Sequence, residues 1–566
     1  MRTVVDAISG RRGGRGTLAI GSSERATVPW GEVHRRARLV ARDLTARGVQ
    51  PGDRVALLGE SHVDLVVALQ ATWLAGAAVT VLPLPVPSVE GPAYVDHLRR
   101  IVTDARPRLA LAGDPDGLGA AAITPVVPVA DLHAVAAAAT DPGAPASAPA
   151  PVSPADLAVL QYTSGSTRSP RGVPVTHGQL AANLDAILIA TDHDRVHGST
   201  LSWLPLYHDM GLVGILCTSM TCGCDLTLLP TAGFAAQPRS WLEQIAATGA
   251  TVTAAPNFAW ALAARLLRAI PAPDPAVDLR SLRCAASGGE PIDPVAMAGF
   301  LASATPHGFD PGAFVCAYGL AEATLAVTVS RPGAGLRTDT VDREALERRG
   351  AAVPAGTGRA LTRLGRPVPG TRVRIVAAGT GGEARVLADR RVGRIEVAGP
   401  GVTGGYWGAP AAASDGWLPT GDLGYLTGGE LVVCGRAADL LFAAGRNIHP
   451  QDVEALAVEV PRVRAGGAAA FGVPGGGIAD RLAVVVESPS WADADEAESV
   501  CAAVRGAIVA GLGLAPRQVA VVPPGELART SSGKLRRHEI RARLLAGTLP
   551  TAAVGAASTP PGKARR

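Results

Sequence analysis

The strongest constraint on the fold is an alternation of short apolar runs with helical patterns through the first part of the chain. The segments at 53–59 (DRVALLG), 62–76 (HVDLVVALQATWLAG) and 77–85 (AAVTVLPLP) predict a strand, a helix and a second strand. Strands that are apolar along their whole length are typical of parallel sheets, because helices cover both faces of such sheets. The sequence therefore predicts an α/β fold with largely parallel, buried sheets.

The pattern changes near Arg436, where shorter strand-like units begin and a helical pattern follows over 496–512. A chain of 566 residues is long enough for more than one domain. We predict a large multi-layer α/β domain over 1–435, a small, mobile α+β domain over 436–548 and a disordered tail over 549–566.

The charge of the chain argues against a nucleic-acid-binding protein, and its hydropathy argues against a secreted or membrane-spanning protein. A net charge of +4 with 18% charged residues, and arginines that are scattered along the chain, predict no nucleic-acid surface. The N-terminus lacks the apolar segment of a signal peptide. The most apolar stretch, 64–87, is interrupted by Gln70, Gly76 and prolines, which indicates a buried helix and strand rather than a membrane span. We expect a cytoplasmic protein.

Seven cysteines occur without a C-x-x-C pair, so neither a disulfide framework nor a zinc site is predicted. We interpret the cluster of Cys217, Cys222 and Cys224 as buried free thiols, since a thiol packs as a small apolar group. The segment TDHDRVHG, which begins at Thr191, is interpreted as a solvated loop rather than a metal site.

Hydroxyl groups crowd around a glycine directly after an apolar strand pattern. The stretch at 160–171 reads LQYTSGSTRSPR. Successive backbone N–H groups in such a turn form an anion-binding nest, and glycine lets the backbone approach a ligand closely. Arg168 and Arg171 add positive charge. Taken alone, the stretch fits either a polyphosphate site or an ordinary Ser/Gly loop, and it does not match a Walker loop.

Four further motifs follow in order: AYGLAEAT (317–324), LPTGDLGYL (418–426), VCGRAADL (433–440) and ARTSSGKLRR (528–537). Together with the hydroxyl-rich stretch they resemble the adenylate-forming superfamily of acyl-CoA synthetases, amino-acid adenylation domains and luciferases. The resemblance implies the adenylate-forming enzyme fold, ATP as a substrate and Mg²⁺ as its companion ion.

Other segments resemble the fatty acyl-AMP ligase branch of that superfamily. They are the Ser-Thr-Arg of the hydroxyl-rich stretch, SWLPLYHDMGLVG (202–214), TAAPNFAWALAAR (253–265) and VDREALERRG (341–350). The resemblance implies activation of a fatty or related carboxylic acid to acyl-AMP, then acyl transfer to the phosphopantetheine of a separate acyl carrier protein. Such a carrier would belong to a polyketide or nonribosomal-peptide system.

The resemblance also implies roles for individual residues. It assigns the phosphates to Thr163, Ser164, Gly165, Ser166, Thr167 and Arg168. It assigns the adenine to Ser287, Gly288, Gly289, Glu290, Pro291, Tyr318 and Gly319, although many family members have Asn at the position of Ser287. It assigns the ribose to Asp422, an acceptor-only carboxylate when ionised, and to Arg436.

Three residues are expected to act in catalysis. Lys534 would stabilise charge on the carboxylate and α-phosphate oxygens, and Glu322 would bind Mg²⁺, a hard cation that prefers oxygen ligands. His208 would gate the acyl pocket, or else it is a satisfied histidine at a helix start. The region at 341–365 resembles an insertion typical of the branch, and we expect Leu346 to anchor it on the small domain.

Two alternatives remain at this stage. An acyl-CoA synthetase would share the ATP motifs, and a catalytically inactive adenylate-binding scaffold would share the fold. The intact Lys534, Glu322 and Asp422 argue against the scaffold. One departure from the family pattern is Ala438, where a basic residue is usual beside the expected pivot at Asp439.

Overall fold

A computed structural model describes most of the chain. The described ranges are 2–9, 16–21, 26–85, 91–124, 126–138, 150–163, 170–193, 198–377, 385–410, 415–443, 446–474, 481–530, 533–551 and 553–556. Within this described part, every helix is too short or too polar to cross a bilayer.

Two large sheets form the first part of the molecule. The nine-stranded sheet contains, in spatial order, Arg366–Pro367, Ala326–Val329, Phe314–Gly319, Cys284–Ser287, Val252–Ala255, Ser199–Ser202, Asp225–Leu228, Thr17–Ile20 and Ala26–Pro29. The six-stranded sheet contains Val129–Asp131, Leu109–Ala112, Arg54–Leu58, Ala78–Val81, Leu157–Thr163 and Arg171–Thr176. The inner strands of both sheets are parallel, as predicted, and antiparallel strands lie only at the ends.

Helices cover these two sheets and, later in the chain, the sheet of the small domain. The α-helices are Val4–Ser9, Trp30–Ala46, Val63–Leu74, Gly91–Ala105, Leu118–Ile123, Leu132–Ala138, His177–Ala190, Thr218–Cys222, Thr231–Ala236, Arg239–Thr248, Asn257–Arg268, Pro294–Ala304, Arg343–Arg349, Pro450–Val458, Ala494–Leu512 and Arg537–Leu545. The helix Val63–Leu74 contacts strands of both sheets and is buried on almost every side, which explains why its sequence is apolar all round. The predicted strand, helix and strand at 53–85 are confirmed.

Two smaller units complete the large domain. A four-stranded antiparallel sheet contains Arg372–Val376, Gly393–Ala398, Leu418–Thr427 and Glu430–Arg436, and a two-stranded sheet pairs Thr338–Val341 with Arg359–Thr362. The long strand Leu418–Thr427 carries the LPTGDLGYL motif, so this sheet sets the position of Asp422.

The small domain has a mixed sheet of Ala468–Val473, Arg481–Glu487, Gln518–Val522 and Ala553–Ala556, preceded by a hairpin of Leu441–Ala443 and Arg446–Ile448. Alternate residues of its strands enter separate apolar cores on the two faces of the sheet. The prediction of disorder over 549–566 is wrong for Ala553–Ala556, which pairs antiparallel with Gln518–Val522 through backbone hydrogen bonds. Residues 557–566 lie outside the described residues.

The segment at 341–365, called the insertion after the expectation from its sequence, contacts the small domain through charge rather than through Leu346. Leu346 packs in the large domain beside Tyr425, so the prediction that it anchors the small domain is wrong. Its neighbour Glu347 is 2% exposed and accepts a hydrogen bond from Arg446 Nε at 2.7 Å. Successive side chains of a helix point in different directions, which is why one faces the sheet and the next faces the small domain.

A second contact supports the same junction. Arg359, 6% exposed, lies 2.8 Å from Asp452 of the small domain through its Nε atom. Two buried ion pairs therefore join the insertion region to the small domain.

A buried carboxylate fastens the two-stranded sheet to the four-stranded antiparallel sheet. Asp339, in Thr338–Val341, accepts the Tyr425 hydroxyl at 2.6 Å and bonds from Arg390 at 3.1 Å and Arg363 at 3.4 Å. Burial would raise the pKa of Asp339, but these three donors together hold the pKa below its usual value. Because the folded-state pKa is lowered, the ionised carboxylate stabilises the fold above about pH 4, and this contribution is lost as pH falls further.

We expect Asp339→Asn to lower the free energy of unfolding at pH 7 by about 1.5–3 kcal/mol, the usual value of a hydrogen bond to a charged group. Chemical denaturation at pH 7 and pH 3 measures the effect, which should shrink at the lower pH. Asp116→Asn, at an exposed carboxylate, is the control and should leave stability unchanged. Equal stability of the Asp339 variant and the original protein at pH 7 would contradict this account.

Candidate active site

The adenine motif lies where neighbouring parallel strands of the nine-stranded sheet end. Ser287 is the last residue of its strand and pairs with Cys316 on the next strand, two residues before Tyr318. A Cβ on Gly288 would lie 3.1 Å from the Ala317 carbonyl oxygen, so the backbones of these two neighbouring segments approach too closely for a side chain to fit easily. In open α/β sheets, ligands bind at this carboxyl edge.

The structure thus brings together the residues predicted for the adenine, namely Ser287, Gly288, Gly289, Glu290, Pro291, Tyr318 and Gly319. A Cβ on Gly319 would lie 2.0 Å from the Leu325 carbonyl oxygen, which only glycine avoids. Among the described residues, the buried Ser287 hydroxyl has no hydrogen-bond partner. It is a polar atom at the expected adenine position that a ligand can satisfy.

The carboxylate of Asp422 is held by two side chains. The Tyr318 hydroxyl donates to Oδ2 at 2.7 Å, and Arg436 Nε donates to Oδ1 at 3.2 Å from the paired strand. Burial raises the pKa of Asp422 above its usual value, and the charges of Arg436 and Lys534 only partly offset this rise. Burial and the neighbouring carboxylate also raise the pKa of Tyr318 well above its usual value, so the phenol keeps its proton and donates.

Glu322 occupies a short 3₁₀ turn, Ala321–Ala323, directly after the strand that carries Tyr318. The Tyr406 hydroxyl donates to Glu322 Oε1 at 2.6 Å, and the Arg171 guanidinium lies 5.1 Å from the centre of the Tyr406 ring. Among the described residues, the Tyr406 hydroxyl contacts one carboxylate oxygen of Glu322, and the other oxygen can meet a ligand. The turn also contacts the strand Arg171–Thr176, and a hard carboxylate oxygen at this place fits a magnesium ion.

His208 lies beside the adenine motif, on the segment that leads into the helical turn Met210–Cys217. Its Cε1 atom is 3.9 Å from the position that a Cβ on Gly289 would take, and its Nδ1 atom is 2.8 Å from Asp209 Oδ1. Burial would raise the pKa of Asp209, but His208 and the charge of Lys534 together hold the pKa below its usual value. Both the gate and the satisfied helix-start histidine fit this position, so the gate role stays a prediction.

Lys534 sits on a tight turn of the small domain. The Thr530 N–H donates to the Lys534 carbonyl oxygen at 2.8 Å, and the Lys534 N–H donates to Thr530 Oγ1 at 3.1 Å. Gly533 has φ +86°, and a Cβ there would lie 3.3 Å from the Phe258 ring of the large domain. The turn therefore rests directly on the large domain.

The charge of Lys534 affects the pKa of three carboxyl groups of the large domain. Burial raises the pKa of both Glu290 and Asp422, and the charge of Lys534 opposes that rise, as it lowers the pKa of Asp209. A single cation acts on groups from three separate motifs. The Lys534 turn lies at the junction of the two domains, because Gly533 meets Phe258, whose N–H donates to Glu290 at 3.4 Å.

The hydroxyl-rich loop is described only at its boundaries. Thr163 ends the strand Leu157–Thr163 and pairs with Arg171, so a hairpin of the six-stranded sheet carries the loop. Within the same strand, Gln161 Nε2 donates to the Tyr207 carbonyl oxygen at 2.7 Å, which ties the hairpin to the segment of His208. The predicted phosphate residues Ser164, Gly165, Ser166, Thr167 and Arg168 lie outside the described residues.

Two residues of the site were not found from the sequence. Tyr406 orients Glu322, and Phe258 supports the Lys534 turn. Tyr406 belongs to a glycine-rich segment, TGGYWG at 403–408, and an aromatic pair among glycines is the signal that points to it. Phe258 belongs to the segment at 253–265, but nothing in its pattern distinguishes a contact to another domain from a core residue.

Comparisons with known proteins agree with this geometry. A family model described as AMP-binding enzyme matches residues 10–407. The long-chain-fatty-acid–AMP ligase FadD32 of Mycolicibacterium smegmatis is 33% identical and covers 93% of this chain and 91% of its own. A Caulobacter vibrioides protein whose name assigns it to the acyl-CoA synthetases is 36% identical over 92% of this chain and 91% of its own.

A solved structure from a study of fatty acyl-adenylate ligases of E. coli and L. pneumophila superposes with a TM-score of 0.86. It is 32% identical and covers 97% of this chain and 98% of the other. The chain belongs to the AMP-binding enzyme family, the adenylate-forming enzymes. The resemblance to the fatty acyl-AMP ligase branch is confirmed, as are the multi-layer α/β fold and the smaller second domain.

The raised pKa of Asp422 predicts a cost in stability. A carboxyl group whose folded-state pKa is raised is destabilising when ionised, so we expect Asp422→Asn to raise the melting temperature at pH 7, by about 1–2 °C in a chain of this size. Thermal unfolding checks this, and the gain should shrink as pH falls and the original carboxyl takes up its proton. Asp339→Asn is the opposite control, and a fall in melting temperature for both variants would contradict the electrostatic account of Asp422.

Proposed function

We propose that this protein activates a fatty acid with ATP to acyl-AMP, releasing pyrophosphate, and then transfers the acyl group to the phosphopantetheine thiol of a separate acyl carrier protein. The observation that carries the proposal is the position of the Lys534 turn, where Gly533 lies against Phe258, whose N–H donates to Glu290 of the adenine motif at 3.4 Å. The name of FadD32 and the related acyl-adenylate ligase structure support the same reaction.

The chemistry proceeds in two displacements. A carboxylate oxygen of the acid bonds to the α-phosphorus while the bond to the β-phosphate breaks, and pyrophosphate leaves. The thiol sulfur then bonds to the acyl carbon, the bond to the AMP oxygen breaks, and AMP leaves with the thiol proton going to solvent or a base. Acyl-AMP is the stronger electrophile, which is why a carboxylate is first converted to it.

The proposed roles follow from the chemical nature of each side chain. Asp422 accepts hydrogen bonds from the ribose hydroxyls, and Tyr318 and Arg436 hold it in place. Lys534 donates to the carboxylate and α-phosphate oxygens, where negative charge is shared in the transition state. Glu322 would hold a magnesium ion, which neutralises phosphate charge, and Tyr406 fixes its orientation.

The composition supports a specific need for lysine at position 534. The chain has 53 Lys and Arg residues, and only Lys534 and Lys563 are lysines. Lysine is a compact point charge, whereas arginine is a broad planar fork with a fixed set of donors. A chain that otherwise uses arginine has lysine where the proposed reaction needs a small ammonium ion.

We expect the purified protein to release pyrophosphate from ATP and Mg²⁺ only when a fatty acid is present, and to accumulate acyl-AMP. Lys534→Arg should lower this rate by about 10²–10³, the typical loss of one preorganised donor to the transition state. Lys563→Arg is the matched control, and it should keep the full rate.

Measuring ATP affinity distinguishes the catalytic role proposed for Lys534 from the nucleotide-binding role proposed for Asp422. Lys534→Arg should retain ATP binding, measured by calorimetry, while Asp422→Asn should weaken it by about 10-fold or more, since each hydrogen bond to a charged group is worth about 1.5–3 kcal/mol. If no acid across short, medium and long chains stimulated pyrophosphate release, the inactive scaffold would replace this proposal.

The contacts between the insertion and the small domain are the basis for proposing which thiol accepts the acyl group. Thioester formation requires the small domain to move after adenylation, a hinge motion that a few contacts can permit or block. The Glu347–Arg446 and Arg359–Asp452 ion pairs favour one orientation, and a few kcal/mol shift such an equilibrium strongly. We infer that free CoA is a poor acceptor and that a carrier protein is the productive one.

We expect little acyl-CoA from the original protein, and more from Glu347→Gln, because the substitution removes the charge that holds Arg446. Acyl-AMP formation should be nearly unchanged. Glu344→Gln is the matched control on the same helix, since the Glu344 side chain is 78% exposed and, among the described residues, pairs with Arg348 of that helix. Chromatographic assay of acyl-CoA and acyl-AMP measures both products, and efficient acyl-CoA synthesis by the original protein would instead favour an acyl-CoA synthetase.

A further inference from the structure

Three side chains with metal-binding chemistry lie together on the far side of the nine-stranded sheet. His193 follows the helix His177–Ala190, Cys222 ends the helix Thr218–Cys222, and Cys224 directly precedes the strand Asp225–Leu228. The candidate active site lies where the parallel strands of this sheet end, whereas Cys224 lies where one of them begins. The cluster is therefore separate from the proposed reaction.

The spacing of the three ligand atoms suits a tetrahedral metal ion. The ligand atoms of His193, Cys222 and Cys224 all lie within 4.8 Å of one another, and His193 Nε2 is 3.4 Å from Cys224 Sγ. Zinc bonds of about 2.3 Å to sulfur and about 2.0–2.1 Å to nitrogen, at a tetrahedral angle, place those two atoms roughly 3.5 Å apart. The observed separation agrees with that value, so binding would need little rearrangement.

The backbone holds His193 in place before any ion binds. The His193 N–H donates to the Leu188 carbonyl oxygen at 3.2 Å, and Asp192 takes a left-handed conformation with φ +49° to close this turn. The Leu188 side chain packs against Cys222 and Cys224, so the helix end and the two thiols share one small apolar cluster.

The two thiols are also held by local structure. Gly223 between them has φ +70°, a left-handed turn that glycine adopts without strain. Trp30 Nε1 donates to the Cys224 carbonyl oxygen at 2.8 Å. Both cysteines are less than 5% exposed, whereas His193 is half-buried and gives access from the surface.

We propose that His193, Cys222 and Cys224 bind one Zn²⁺ ion through the imidazole Nε2 and two thiolates, with water in the fourth position. Binding replaces the protons of the two thiols, which pass to solvent, and uses a neutral imidazole. The ion joins the end of the helix His177–Ala190 to the turn at 222–224, so its effect is on stability rather than on the reaction.

A second group of possible ligands, His62, Asp64 and His133, makes hydrogen bonds of its own. His133 Nδ1 lies 2.7 Å from Asp64 Oδ2, and the Asp64 N–H donates to His62 Nδ1 at 3.2 Å. These contacts use one nitrogen of each imidazole, and both imidazoles are well exposed, whereas Cys222 and Cys224 are buried. This second group therefore serves as a control for zinc that binds outside the proposed site.

The test uses the full chain, freed of metal with a chelator and titrated with Zn²⁺ against a chromogenic zinc indicator. We expect one site per chain and a rise in melting temperature on zinc addition. Cys224→Ser and His193→Gln should each weaken binding by more than about 10-fold, a loss that even an outer-shell partner of a metal can cause. Cys284→Ser, at a buried free thiol elsewhere, and His133→Gln should leave binding unchanged.

Two measurements on the original protein keep the test independent of variant folding. Co²⁺ in place of Zn²⁺ should give a sulfur-to-metal charge-transfer absorption, and Zn²⁺ should protect the peptide that contains Cys222 and Cys224 from alkylation. Zinc binding that persists in Cys224→Ser, or that is lost in His133→Gln, would overturn the proposal. So would the absence of both the charge-transfer band and the protection.

Discussion

The arrangement of the proposed active site depends on the ion pairs that join the insertion to the small domain. Glu347 is almost fully buried, and a carboxylate that leaves water must be paired with a cation to remain charged. Its partner Arg446 belongs to the first hairpin of the small domain and also donates to the Leu512 carbonyl oxygen at 2.6 Å. The pairing therefore fixes more than one element of the small domain at once, in the orientation in which the Lys534 turn rests on the large domain.

The small domain has a matching set of contacts at its expected pivot. Arg537, three residues after Lys534, donates to Asp439 at 3.1 Å and to both oxygens of Glu454 at 2.7 Å. Asp439 lies in the 3₁₀ turn Ala437–Asp439, next to the unusual Ala438. Arg537 therefore ties the segment of Lys534 to Asp439, at the expected pivot of the domain. It also supplies a positive charge beside Asp439, which Ala438 does not.

Electrostatics at the site favour ligand binding over stability. Asp422 and Glu290 are buried carboxyl groups with raised pKa values, and Lys534 only partly compensates them. Unfavourable charge of this kind is common where a protein must meet a polar ligand, because the ligand supplies the missing hydrogen bonds. The buried Asp339 shows the contrast, since its donors lower its pKa and make it a purely stabilising group.

Much of the fold could be predicted because elements that are buried on both faces have sequences that are apolar along their whole length. The helix Val63–Leu74 and the strands on either side of it are apolar on almost every face, and this pattern has few other interpretations. The strand Ala553–Ala556 was missed because its residues are small and its position depends on pairing with Gln518–Val522 rather than on a pattern of its own. Edge strands of this kind are determined by the partner that they meet.

The sequence by itself determined the parallel α/β layers, the adenylate-forming motifs and their order, since these depend on local periodicity and on short runs of side chains. Only the tertiary structure decided that Glu347 rather than Leu346 meets the small domain, because the two neighbours point in different directions from one helix. It also decided that His193 lies 3.4 Å from Cys224, although 31 positions separate them along the chain. Contacts of this kind depend on how helices and strands pack in three dimensions, and no spacing rule along the chain contains that information.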